Sequence, residues 1–136
     1  MFDLHPRLEA DTIGVCALSL SVVRLMNNRT WPWLVLVPAR AGVVEIYQLS
    51  ALDRATLMEE IALTSRVLAA EFNPDKINVG ALGNLVPQLH VHVLGRFRGD
   101  SAWPGPVWGS GVSAPWSTEE AVALSMRLGA ALGGGH

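Results

Sequence analysis

The sequence is short of the features that usually announce a function. One cysteine among 136 residues rules out an intramolecular disulfide, and Cys16 lies in an apolar segment where a small buried hydrophobe is expected rather than a nucleophile. Ten basic residues, of which Lys76 alone is lysine, stand against twelve acidic ones, for a formal charge of −2. No basic patch is concentrated enough to suit a nucleic-acid backbone or an anionic membrane surface, so neither partner is expected. No run approaches the roughly 18 to 20 apolar residues needed to cross a bilayer. The opening MFDLHPRLEAD mixes both charge signs without an apolar core, unlike a signal peptide, and the cytoplasm is the expected compartment. The chain also lacks a G-x-x-x-x-G-K-[ST] run and a G-x-G-x-x-G after a strand, which removes the commonest phosphate loops.

What remains is a chain of ordinary globular character, half hydrophobic and 16% charged. Its length suits one domain, residues 1–136, with its own core. Residues 13–26, IGVCALSLSVVRLM, read as two short strands or one bent strand, and WLVLVP, residues 33–38, as another. Ser50 with Asp53 resembles a capping box that opens a long helix. Leu57, Ile61, Leu68 and Phe72 recur at helical spacing as its buried stripe, with Glu59, Glu60 and Arg66 off it. Asn73-Pro74 stops that helix. Lys76 to Leu82 and Gln88 to Phe97 read as two further strands joined by a hairpin turn at Gly83-Asn84. After the Trp, Pro and Gly-rich stretch SAWPGPVWGSGVSAPW, Ser117 with Glu120 begins a last helix that Gly133 to Gly135 end. The order of elements predicts an α+β fold: a mainly antiparallel sheet of about five strands, one long helix and a C-terminal helix.

Two of the four histidines fall in QLHVHVL. Strand alternation puts Gln88, His90 and His92 on one face and Leu89, Val91 and Val93 on the other. A polar strand face is the plain reading of such a row. Metal binding is a second, but zinc takes three or four ligands and no nearby Cys, Asp or Glu has suitable spacing, so no metal is expected. The third is nucleophilic attack at phosphorus. It needs one imidazole kept neutral through a hydrogen bond to its far nitrogen, and a second group that donates to a phosphate oxygen.

QLHVHVL resembles the signature of the histidine-triad (HIT) family of nucleotide hydrolases and transferases, in which histidines alternate with apolar residues. WLVLVPAR is similar to the family's earlier strand with its Pro-basic turn, and the likeness spans roughly residues 12–98. The resemblance implies a HIT-like fold and an activity at a nucleoside α-phosphate, with His90 forming a covalent nucleotidyl-histidine. His92 would contact the phosphate and assist the leaving group. It also implies a homodimer with its two sheets side by side, a small-molecule nucleotide substrate and no cofactor. Gln88 stands where the family has its first histidine; an amide can exchange hydrogen bonds but cannot share charge as an imidazole does. Loss of that histidine motivates an alternative, a nucleotide-binding protein with little or no turnover.

Four asparagines are weaker candidates for nucleotide binding. Asn27 and Asn28 lie where the family places a ribose contact, although an Asn-Asn turn fits as well. Asn78 and Asn84 lie upstream of the motif, in the region from which relatives reach phosphate or the catalytic histidine. Gly83 permits close backbone approach to phosphate or simply serves the hairpin. Arg96 and Arg98 share the parity of the histidines, as extra positive potential or as solvated strand-end charges. Trp103 and Trp108 read as walls of a base pocket or as packing at a subunit interface. His5 and His136 are not assigned to the site.

Overall fold

The structure, a computed structural model, describes residues 1–133. A short helix α1 (Pro6–Asp11) leads into strands β1 (Thr12–Ala17), β2 (Ser21–Met26) and β3 (Trp33–Pro38). A 3₁₀ turn at Ile46–Gln48 precedes the long helix α2 (Ala51–Phe72), followed by β4 (Lys76–Gly80), β5 (Val91–Arg96) and the last helix α3 (Thr118–Leu132). The five strands form one sheet in the order β1-β2-β3-β5-β4, antiparallel at each pairing. The α+β fold expected from the sequence is therefore present, and residues 13–26 resolve into two strands.

Helix boundaries follow local chemistry. The Ser50 hydroxyl accepts from Asp53 N at 3.1 Å, but the reciprocal arm of the box is missing because the Asp53 carboxylate binds Arg40 through two bonds, at 2.7 and 3.1 Å. Asn73 closes α2 in the left-handed conformation, at φ 49°, which a short amide side chain tolerates. Ser117 and Glu120 form the full reciprocal box at the start of α3. Gly133 caps its end at φ 69°, while Gly134, Gly135 and His136 lie outside the described residues.

Alternation along the strands sorts the core into two layers. Leu34, Leu36, Val91 and Val93 face α2 and α3 with Leu57, Leu68, Leu124 and Leu128; Ile61 and Phe72 pack half-buried against them. On the opposite face, Trp33, Val35, Val37 and Leu94 form a second cluster with Leu8 of α1, Trp31 and Val107. Strand β5 is buried along its whole length, so the histidine-bearing face is a second core surface and not the wetter side of a half-buried strand.

Four further expectations change. Helix α1 was not foreseen. The strand expected at residues 76–82 ends at Gly80, and that expected from Gln88 begins at Val91, so ten residues connect β4 to β5 in place of a tight hairpin. Gly83 does adopt a positive φ of 70° within this loop. Glu60 is buried, not off the stripe: its carboxylate accepts from Leu20 N at 2.9 Å, Ser21 N at 3.0 Å and the Ser19 hydroxyl at 3.2 Å. The β1–β2 turn thus finds the acceptors that its buried backbone donors require, and they lie on the long helix.

Candidate active site

His92 sits inside β5, opposite Val35 of β3 and Gly80 of β4. His90 lies two residues earlier in extended chain, on the same side, so the two rings meet edge to face with centroids 5.0 Å apart. Both are buried, at 7% exposure each. Their outer partners differ in kind. His90 Nδ1 is 2.7 Å from the Gln88 carbonyl oxygen. A carbonyl only accepts, so Nδ1 carries the proton and Nε2 keeps its lone pair. His92 Nδ1 receives a hydrogen bond from Trp33 Nε1 at 3.0 Å. An indole N–H only donates, so the neutral His92 carries its proton on Nε2. Two adjacent imidazoles are held in opposite tautomers, one presenting a lone pair and the other an N–H.

Burial pushes the pKa of His92 down from 6.5 to about 4, with repulsion from His90 adding to the effect. The low-dielectric wall is built of indoles. The rings of Trp33 and Trp108 each lie with centroids 5.6 Å from His92. Trp108 reaches this place by lying against Gly80, where an added Cβ would stand 2.8 Å from the indole Cη2. A side chain at position 80 would displace the tryptophan.

Gln88 behaves differently from the row read in the sequence. Its side chain does not join the imidazole pair: Oε1 accepts from His5 N at 2.8 Å and Nε2 donates to the Asp3 carbonyl at 2.8 Å. The residue serves His90 through its own backbone carbonyl. His5 is thereby tied to the motif loop by its backbone, while its ring accepts from Arg7 N and caps α1.

The asparagines separate into different surroundings. Asn28 is buried and fully engaged: Nδ2 donates to the Val112 carbonyl, while Oδ1 accepts from Thr30 N and Ala114 N. Asn27 Oδ1 accepts from Trp116 N at 2.9 Å. Both therefore staple the C-terminal segment to the β2–β3 turn. Asn78 Oδ1 accepts from Arg96 Nη1 at 3.0 Å, away from the histidines. Asn84 alone of the four lines a cleft together with His90 and His92.

Arg96 is neither a solvated strand-end charge nor a free cation beside the site. It is 1% exposed, and its Nε and Nη2 hold both oxygens of Asp100 at 2.9 and 3.0 Å. Its guanidinium carbon lies 5.8 Å from the centre of the Trp31 ring and 5.7 Å from that of Trp103. Asp100 also accepts from Phe97 N, Ala102 N and Trp103 N, and the guanidinium holds its carboxyl well below the usual carboxylate range. Trp103 is thus part of an ion-pair cluster, whereas Trp108 lies against His92. Arg98 is exposed, with its backbone N–H on Asp75.

Two clefts open on His90. One of about 380 Å³ runs past Arg7, Leu8, Asp11, Met26 and Asn84 to both histidines. A smaller hollow of about 230 Å³ shares Asp11 and Met26 with it and adds Asn27, Asn28 and Trp33. The other main cleft, about 600 Å³, is lined by Tyr47, Arg54, Leu82, Gly83 and Gln88 among others. Among the described residues, no group of three or more His, Cys, Asp or Glu side chains is placed to hold a metal ion. No described helix is long and apolar enough to cross a membrane.

The sequence reading missed Trp33 and the α1 residues Arg7, Leu8 and Asp11. Pro6 at the first helical position after His5 was an available start signal for α1, although six residues are too few for periodicity to show. Trp33 carried no local signal, because its role depends on β3 lying beside β5.

The profile of the HIT domain matches residues 7–99. Among solved structures, the chain is similar to a histidine triad protein from Sinorhizobium meliloti 1021, at 49% identity and a TM-score of 0.91, over 94% of this chain and 95% of that one. It is similar to a histidine triad protein from Marinobacter aquaeolei VT8 at 44% identity and a TM-score of 0.94, over 98% and 97% of the two chains. A third, from Bradyrhizobium japonicum, has 44% identity and a TM-score of 0.89, over 96% and 95%. No curated protein matches. The chain belongs to the HIT domain family.

Proposed function

We propose that the protein is a nucleotide hydrolase or nucleotidyl transferase acting at a nucleoside α-phosphate, with His90 as nucleophile. The observation that carries this reading is the opposed pair of tautomers: His90 offers the Nε2 lone pair because Gln88 O holds Nδ1–H, and His92 offers Nε2–H because Trp33 holds its Nδ1. The His90 lone pair forms a P–N bond as the bond to the leaving group breaks and its electron pair departs with that group. The imidazole then carries positive charge, which its Nδ1–H shares with the Gln88 carbonyl. Water completes hydrolysis by forming a P–O bond while the P–N electrons return to His90 and the proton of the water passes to solvent; another acceptor in place of water gives transfer. His92 Nε2–H donates to a phosphoryl oxygen in both steps, where negative charge develops.

Gln88, at the position of the missing first histidine, contributes its carbonyl to the nucleophile and its amide to closure of the N-terminal segment. This arrangement favours an active enzyme over a silent binder, because the polarising acceptor for His90 is backbone and survives the replacement. The cleft that joins Asp11, Met26 and Asn84 to the histidines would take the nucleoside, and the Asn27 hollow extends it. A single-domain cytoplasmic homodimer remains the setting we propose.

The test is direct trapping. The protein and His90→Ala are incubated with radiolabelled dinucleoside polyphosphates and nucleoside phosphoramidates, quenched in alkali, and analysed for a phosphoramidate-linked nucleotide. Adduct and turnover in the wild type alone are expected. Equal turnover by both proteins sinks the assignment of His90, and tight nucleotide binding without adduct or product leaves the binding protein as the better description.

A further inference from the structure

The His92 environment contains an asymmetry that the reaction above does not require. Phosphoryl contact needs only an N–H at His92 Nε2, and either a neutral ring or an imidazolium supplies one. The surroundings permit one of these. The atom facing Nδ1 is the indole nitrogen of Trp33, at 3.0 Å, a group with a hydrogen to give and no lone pair to receive one. Protonating His92 would point two N–H groups at each other in a buried place. The other neighbours offer no relief. His90 lies alongside with its own Nδ1–H committed to Gln88 O, Val35 and Gly80 flank the ring on β3 and β4, and Trp108 closes the outer side. Of the charged groups across the cleft, Asp11 is paired with Arg7 at 3.1 Å. No described carboxylate bonds either imidazole.

We infer that Trp33 is a positioning residue that locks His92 as a neutral Nε2–H donor, and that the site is thereby selective for leaving groups that depart as stable anions. This deepens the proposed function and rests on it. A phosphoanhydride releases a phosphate oxygen that keeps the bond electrons without a proton, as does a mixed acyl anhydride. An alkylamine leaving group cannot depart as R–NH⁻; it must gain a proton as the P–N bond breaks. The lock denies that proton at His92, since giving up Nε2–H from the neutral ring would leave an imidazolate. Phosphoramidates of alkylamines should therefore be poor substrates unless they arrive already protonated on nitrogen. The low pKa of His92, about 4, is in keeping with this and extends it across neutral pH.

Two measurements test it, one of them independent of turnover. Nitrogen-15 spectra of the wild-type protein are recorded as a function of pH, with His92 assigned by comparison with His92→Asn. The expected result is a neutral Nε2–H ring through and well below the ordinary histidine range; an imidazolium at pH 7 overturns the lock. In parallel, kcat/KM is measured for adenosine and guanosine 5′-phosphoanhydrides and for the matching alkyl phosphoramidates. Loss of general-acid assistance is ordinarily about a hundredfold or more, so anhydrides are expected to lead by at least about that factor. Comparable rates overturn the selectivity. Trp33→His, whose ring can accept from a protonated His92, should narrow the gap by about tenfold and raise the His92 titration, whereas Trp33→Phe, which restores volume without an acceptor or donor, separates packing from hydrogen bonding. If nothing is turned over and no adduct forms, the catalytic reading fails and the selectivity with it, and the spectra distinguish that failure from a failure of the lock.

Discussion

His92 and Arg96 lie four residues apart on the same face of β5, are both almost wholly buried, and are both boxed by tryptophans. Their hydrogen-bond inventories set them apart. Arg96 reaches Asp100 through two nitrogens and Asn78 through the third, and Asp100 is saturated in turn by backbone N–H groups. His92 has one nitrogen satisfied by Trp33 and the other turned to a cleft it shares with His90. Burial with every partner supplied is architecture, because an ion pair so placed is held against loss and has nothing left to offer a ligand. Burial with one partner withheld is the condition for chemistry.

The contrast breaks most sharply at His90 and Asp100. His90→Ala is expected to remove adduct formation and lower turnover by about a thousandfold or more, while the folded protein persists in a denaturant titration. Asp100→Ala should do the reverse, lowering folding stability by about 3–5 kcal/mol in the same titration, because it strands a buried guanidinium. A larger catalytic than structural effect at Asp100 would erase the distinction.

The two regions also separate by pH. Folding lowers the His92 pKa from 6.5 to about 4, so as pH falls the unfolded chain takes up the proton first. Stability should be undiminished above about pH 6.5 and decline from there to pH 4, by up to about 3 kcal/mol. Urea titrations across that range check this, and His92→Asn should flatten the slope. Asp100 is likewise held low, so its contribution is present above its ordinary value of 3.8 and lost only as pH falls below it. Asp100→Asn should therefore lower stability across the whole range above that value and flatten the fall at the acid end. A smaller effect belongs to Gly80→Ala, which must push Trp108 off the sheet. It is expected to cost about 1–2 kcal/mol and to raise the His92 titration as water enters, visible in the same spectra.

Much of the architecture was legible in the sequence, and the reasons for what was not are specific. The strands, the limits of α2 and the box that opens α3 are written in short-range patterns: alternation, a cap, an Asn-Pro stop. The His90–His92 pair was legible for the same reason, since alternation alone puts them side by side. Glu60 was placed on the wrong side of α2 because nothing near it in the chain tells that a turn forty residues upstream lacks acceptors. Trp33, Arg96 and the stapling asparagines are equally long-range: each makes a bond across 18 to 89 residues or sits in a cluster that only the sheet order assembles. Gln88 was read through its parity, but its amide answers to residues 3 and 5.

That last contact has a consequence for the order in which the molecule is made. The two bonds from the Gln88 amide join it to residues 83 and 85 positions earlier in the chain. During synthesis the first five residues leave the ribosome long before their acceptor and donor exist, and they have to wait, undocked, until the motif emerges. The loop that aims His90 is therefore completed late, by residues 3 and 5 returning to a segment made after them. An extension joined to residues 1–5 would travel with that segment to Gln88 at the wall of the cleft.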